Sequence, residues 1–206
     1  MSAVASIADL LKRCRQGDPA AREELFSRYR HYLWLLAQAQ LGRHLRAKCD
    51  PSDLAQQTLL EAHRDFNQFA GNQEAELLGW LRQILAHNLY NETRRFATQQ
   101  RNASREVSLD QFRAGLDHSS MILGRCLAGD DERPSEAVRQ RETAVEVADL
   151  VARLPDDYRT VIVLRVFEGM SAEAVATQMN RSAGAVRMLQ LRALTALRAE
   201  MEKSKS

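Results

Sequence analysis

Residues 171–198 read SAEAVATQMNRSAGAVRMLQLRALTALR, and this stretch decides the fold. Ser171 stands where a helix N-cap belongs, and Val175, Ala176 and Met179 follow at helical spacing. Asn180 comes next, a residue that tolerates the left-handed backbone a sharp turn requires. Ser182 offers a second cap, and Val186, Leu189, Ala193 and Leu197 give the following helix its buried stripe. The small residues Ala183, Gly184 and Ala185 at its start let the backbone approach a phosphate, while a helix N-terminus favours an anion. With Arg181, Arg187, Arg192 and Arg198 on it and no acid between 181 and 198, the segment predicts a helix-turn-helix. An αα-hairpin inside a bundle is the competing reading of this segment alone.

The rest of the chain is composed to match. Ala, Leu, Arg, Glu and Gln dominate its 206 residues, and with only 9 Gly and 4 Pro the composition favours an all-α protein. The strand-like run Val161–Val166 lies between strong helix formers and reads as a buried helix segment, opened by Pro155 and stopped by Gly169. Net charge is only +2, so overall charge does not announce a nucleic-acid binder. Its distribution is more telling: residues 82–105 hold Arg82, Arg94, Arg95, Arg101 and Arg105 against one acid, Glu92. Each basic stretch can meet a polyanion or form an ordinary solvated helix face. Three cysteines, Cys14, Cys49 and Cys126, form no CxxC pair and suit a reducing cytoplasm. No apolar run reaches the roughly 20 residues of a membrane span, and no secretory signal opens the chain.

Two further helix starts repeat one device. Asp18 with Pro19, and Asp50 with Pro51, each set a capping carboxylate before a proline at the first helical position. After the first, Leu25, Tyr29, Tyr32, Leu33 and Leu36 recur at helical spacing in one run. After the second, Ala55, Leu59, Ala62, Phe66 and Phe69 make a core-facing stripe, opposite Asp53, Gln57, Glu61, Arg64 and Gln68. A loop at 70–75 precedes a third helix from Glu76 to about Phe96, with Leu77, Leu78, Leu81, Leu85 and Leu89 buried. Its other side, Gln83, His87, Tyr90, Asn91, Arg94 and Arg95, can stack on bases and hold phosphates. From 98 to 134 the pattern dissolves into a flexible linker with one helical turn near Met121–Cys126, and order resumes at a cap on Ser135. Two helical domains, 1–97 and 135–206, are therefore expected on either side of it.

LPDDYRTVIVLRVFEGMS running into the helix-turn-helix and ending RALTALR resembles region 4 of the extracytoplasmic-function sigma factors of bacterial RNA polymerase. DPSDLAQQTLLEAHRDFNQF followed by GWLRQILAHNLYNETRR resembles their region 2. The resemblance spans about residues 7–97 and 135–200, in the family's order and spacing. It implies a sigma factor that binds core polymerase and recognises and melts promoter DNA. Asp53, Gln56, Gln57 and Glu61 would dock on the clamp of the largest subunit, with the flap region as a further contact. For the minus-ten element, Asn72 and Gln73 would hold an unstacked base, and His87, Asn88, Asn91, Arg94 and Arg95 would contact the strand. Arg181, Ser182, Ala185, Arg187, Met188, Leu191 and Arg192 would face the minus-thirty-five element, and the linker would thread towards the polymerase active-site channel. At Met188–Gln190 the family often has Ser-Arg-Leu, and Leu191 falls where a polar residue is common, which thins the polar readout and leaves Met188 or Leu191 for a thymine methyl. An anti-sigma partner is implied by the resemblance alone; no cofactor or metal is.

The alternative is a stand-alone helix-turn-helix regulator acting as a dimer without polymerase. An enzyme is disfavoured: the five histidines show no HExxH spacing, no phosphate-binding GxxxxGK[ST] loop occurs, and HRD at 63–65 lies inside an amphipathic helix.

Overall fold

In a computed structural model, residues 5–41, 48–100, 108–125 and 137–205 are described, with side chains left aside at 97–100, 137–143 and 204–205. The described residues are helical and contain no strand. They fall into two compact units, 1–117 and 118–206. The expected cap at Ser135, with Arg101, Arg105 and Cys126, lies outside the described residues.

The first unit is built from α1 (Ile7–Arg15), α2 (Pro19–Ser27), α3 (Arg30–Gln40), α4 (Pro51–Asp65) and α5 (Glu74–Gln100). Both carboxylate caps form: Asp18 accepts from the amides of Ala20 and Ala21, and Asp50 from that of Ser52 at 2.8 Å. The run expected after Asp18 is broken at Arg28–Tyr29, where the amide of Tyr29 tightens onto the carbonyl of Phe26. Tyr29 is fully buried there, and its hydroxyl donates to Glu74 at 3.0 Å. α3 packs on α4 and α4 on α5. Leu33, Leu36, Leu54, Ala55, Ala62, Phe66, Leu77, Leu81, Leu85 and Leu89 are all buried in their core.

Asp18 carries a pH dependence. The amide of Ala21, then Arg13 at 2.7 and 2.9 Å, hold its carboxyl below the usual carboxylate range. A lowered folded-state pKa contributes stability above the unfolded value of about 4, and that contribution is lost as pH falls through the folded value. Between about pH 6 and pH 3, urea unfolding of the wild type should therefore lose more stability than that of Asp18→Asn. Parallel curves for the two proteins would remove the cap from the pH response.

Within the stretch expected as linker stands a helix of several turns, α6 (Leu109–Arg125). Ser108 and Gln111 form a reciprocal capping box, each side chain taking the other's amide at 3.2 Å. Phe112, Leu116, Ser119 and Leu123 then make a buried stripe at helical spacing. A serine in the stripe hides its period from a hydrophobicity reading.

The second unit holds α7 (Ala137–Arg153), α8 (Asp156–Ile162), α9 (Ala172–Met179) and α10 (Ala183–Lys205). The run 161–166 is helical: α8 continues through one π-helical turn, Val163–Phe167, and Val161, Ile162, Val163 and Leu164 are buried. Gly169, at φ +61°, ends it.

Candidate polymerase and nucleic-acid interfaces

With Leu54, Ala55, Thr58 and Ala62 committed to the core, the opposite side of α4 is outward by geometry. Asp53, Gln56 and Gln57 are exposed and Glu61 is half-exposed, with Gln57 donating to Glu61 at 3.0 Å. Leu60 stands among them 63% exposed, the most exposed large apolar side chain among the described residues. Periodicity alone assigns Leu59 to the core and leaves Leu60 unmarked, whereas in the structure Leu59 is only half-buried. An apolar side chain ringed by amides and carboxylates is the composition of a docking site with a desolvated centre and a polar rim.

The loop before α5 is held from two sides. Arg15 on α1 donates to the carbonyls of Ala70 and Gly71, and Glu76 accepts from the amides of Asn72 and Gln73 at 2.8 and 3.0 Å. Asn72 and Gln73 are left exposed beside a cleft of roughly 600 Å³, lined otherwise by Ala8, Leu11, Lys12, Arg15 and Gln16. Phe69 stacks on Trp80 with ring centroids 5.1 Å apart. A Cβ at Gly71 would lie 2.6 Å from Phe69 Cζ and 2.7 Å from Glu76 Cβ, closer than atoms can pack. Gly71→Ala should destabilise by about 1–3 kcal/mol, the usual cost of overpacking, because Glu76 is pinned by its two amides. Thermal melting followed by tryptophan fluorescence checks this, and an unchanged transition would mean that the loop yields freely.

On α5 the buried leucines turn His87, Asn91, Arg94 and Arg95 outward. His87 Nδ1 lies 2.8 Å from the carbonyl of Gln83, Arg94 sits 5.6 Å over the ring of Tyr90, and Arg95 pairs with Glu92 at 2.9 Å. This face exposes an imidazole, an amide and two guanidiniums, groups able to stack on bases and hold phosphates. Asn88 does not share this outward face. It is 3% exposed, donating from Nδ2 to Thr58 Oγ1 at 3.2 Å and accepting from Gln57 Nε2 at 3.4 Å, because its position falls on the α4-facing side of the helix. Arg82 also leaves the basic stretch: it donates to Tyr32 at 3.0 Å and Asp117 at 2.7 Å, and the side chain is mostly buried.

The second unit contains the hinged pair as expected. Ser171 accepts from the amide of Ala174 and Ser182 from that of Ala185, both at 3.1 Å. Asn180 between them is left-handed at φ 52°, ψ 50°. Val175, Ala176, Val186, Ala193 and Leu197 are buried, while Leu189 is half-buried. Arg181, Ser182, Ala185, Arg187, Met188, Leu191 and Arg192 all lie exposed, with Met188 at 50% and Leu191 at 59%. Two acids were not foreseen: Asp157 on α8 pairs with Arg181, and Glu173 on α9 pairs with Arg187 at 2.6 Å. Glu173's carboxyl lies below its ordinary range, chiefly through its own backbone amide and then Ser171, with Arg187 adding to both. Arg165 donates to the carbonyl of Met170 and, at 3.0 Å, to Gln190, tying the turn before α9 to α10.

The family model for Sigma-70, region 4 matches residues 144–197, the segment that holds this helix pair. The chain is 30% identical over 178 residues to the ECF RNA polymerase sigma-E factor of Haemophilus influenzae, covering 86% of each protein. It is 29% identical over 188 residues to the RNA polymerase sigma-H factor of Pseudomonas aeruginosa, covering 91% of this chain and 90% of that one. With the ECF RNA polymerase sigma factor SigW of Bacillus subtilis it shares 25% identity over 191 residues, 93% of this chain and 94% of the relative. A match of that extent takes in both helical units, and so the chain belongs to the ECF family of RNA polymerase sigma factors.

Proposed function

We propose that the protein binds core RNA polymerase through the outer face of α4 and brings it to promoters that the other two faces read. Asp53, Gln56, Gln57 and Glu61 form the polar rim of the docking face, against the clamp of the largest subunit, with Leu60 at its centre. Asn72 and Gln73 hold an unstacked base of the minus-ten element, and His87, Asn91, Arg94 and Arg95 follow the separated strand. The first turns of α10 enter the major groove of the minus-thirty-five element, where Met188 and Leu191 suit thymine methyls. The second unit meets the polymerase flap.

The observation that carries this reading is the commitment of helix faces in the first unit. The inward stripes of α4 and α5 fill one core, so their outward faces stay exposed and can meet two different partners at once. The protein's part is recognition and strand capture rather than bond chemistry. An anti-sigma factor would act by covering Leu60 and its rim. The work is cytoplasmic, and among the described residues no helix is long and apolar enough to cross a membrane.

The test is selection from a pool of random duplexes, by the protein alone and by the protein with bacterial core polymerase. Enrichment of a two-part sequence only with core, with permanganate-reactive thymines in its downstream part, is the expected result. Enrichment by a dimer of the protein alone, with no core retained, would replace it with the stand-alone regulator.

A further inference from the structure

Thr58 and Asn88 are buried polar residues that face each other between α4 and α5. Thr58 Oγ1 donates to the carbonyl of Leu54 at 2.7 Å and accepts from Asn88 Nδ2 at 3.2 Å. The remaining end of the Asn88 amide, Oδ1, accepts from Gln57 Nε2 at 3.4 Å, and the same Nε2 donates to Glu61 at 3.0 Å. One hydrogen-bond chain therefore runs from the backbone of α4, through a buried amide on α5, and back out to two residues of the docking face.

A buried amide keeps such an orientation because turning it over would set Nδ2 against Nε2 and leave Thr58 without its donor. An exposed glutamine, in contrast, gives up considerable rotamer freedom when a partner fixes it. We propose that Asn88 is a positioning residue for core binding: from α5 it holds the Gln57 amide in the rotamer that polymerase meets. This rests on the docking face proposed above and assigns to polymerase binding a residue expected to touch DNA. It also makes α5 part of the docking site without any α5 side chain reaching the partner.

A double-mutant cycle on core affinity tests it, using the full-length protein and purified core polymerase with Gln57→Ala, Asn88→Ala and the two combined. Each single variant is expected to weaken binding about fivefold, and the combined variant no more than Gln57→Ala alone. Thr58→Val, which keeps the shape and removes the anchoring hydroxyl, should behave like Asn88→Ala and serves if that variant folds poorly. A purely structural role would lower the melting temperature without making the affinity losses non-additive. Multiplying losses, or unchanged core affinity in Asn88→Ala and Thr58→Val, overturns the proposal. Loss of minus-ten strand binding by Asn88→Ala at full core saturation, with core affinity intact, returns Asn88 to the DNA and likewise overturns it. Unchanged affinity in Gln57→Ala would instead remove the docking face itself.

Discussion

Asp53→Arg combined with Gln57→Arg is expected to lower the affinity for core RNA polymerase by about 100-fold or more, enough to abolish retention in a pull-down at moderate salt. The size follows from what the substitutions place at the interface. Two guanidiniums would replace a carboxylate and an amide on the same outward face as Leu60, and a charge mismatched at a desolvated patch costs about 2–5 kcal/mol. Folding should survive, since both residues are exposed and neither fills the core. The main local loss is the acid in the first turn of α4, worth about 0.3–1 kcal/mol against the helix dipole. Melting temperature within a few degrees of wild type, together with loss of core, is the expected pair of results. A folded variant that keeps full affinity would refute the docking face.

Arg187→Ala is expected to weaken promoter binding by the holoenzyme about tenfold to a hundredfold while leaving core affinity unchanged. An arginine that reads a base edge contributes about 1–3 kcal/mol, and Arg187 stands exposed near the capped start of α10. Affinities on promoters altered one position at a time tell the two roles apart. Relaxed preference at one position marks a base contact; a uniform loss with a salt slope reduced by about one marks a phosphate contact. Equal loss of core and promoter binding would point to a folding defect.

What could be read in the sequence was whatever is decided locally. The caps at Asp18, Asp50, Ser171 and Ser182, and the left-handed turn at Asn180, each depend on a few neighbouring atoms, so residue type and position suffice. The leucine side of α5 was legible for the same reason, since five leucines at helical spacing admit one face. Decisions made by another element were not. Asn88 looks like its outward neighbours His87 and Asn91 until Thr58 is placed opposite it, and Arg82 looks like a free cation until Tyr32 and Asp117 arrive. Leu60 and Leu59 are adjacent leucines, and their allocation between core and surface depends on the rotation of α4. α6 stayed hidden because Ser119 and Ser120 are buried where apolar residues were sought.

The acids opposite Arg181 and Arg187 have a consequence for how the protein behaves amid a genome. A guanidinium whose charge is already partly balanced by Asp157 or Glu173 would attract any phosphate less, on right or wrong DNA alike. On a wrong site, where phosphates are the main attraction, that would lower affinity directly. On a matching site, base-edge hydrogen bonds would be added. If both kinds of site lose affinity by the same factor, the preference between them is unchanged, while more of the factor would stay off DNA and open to core polymerase.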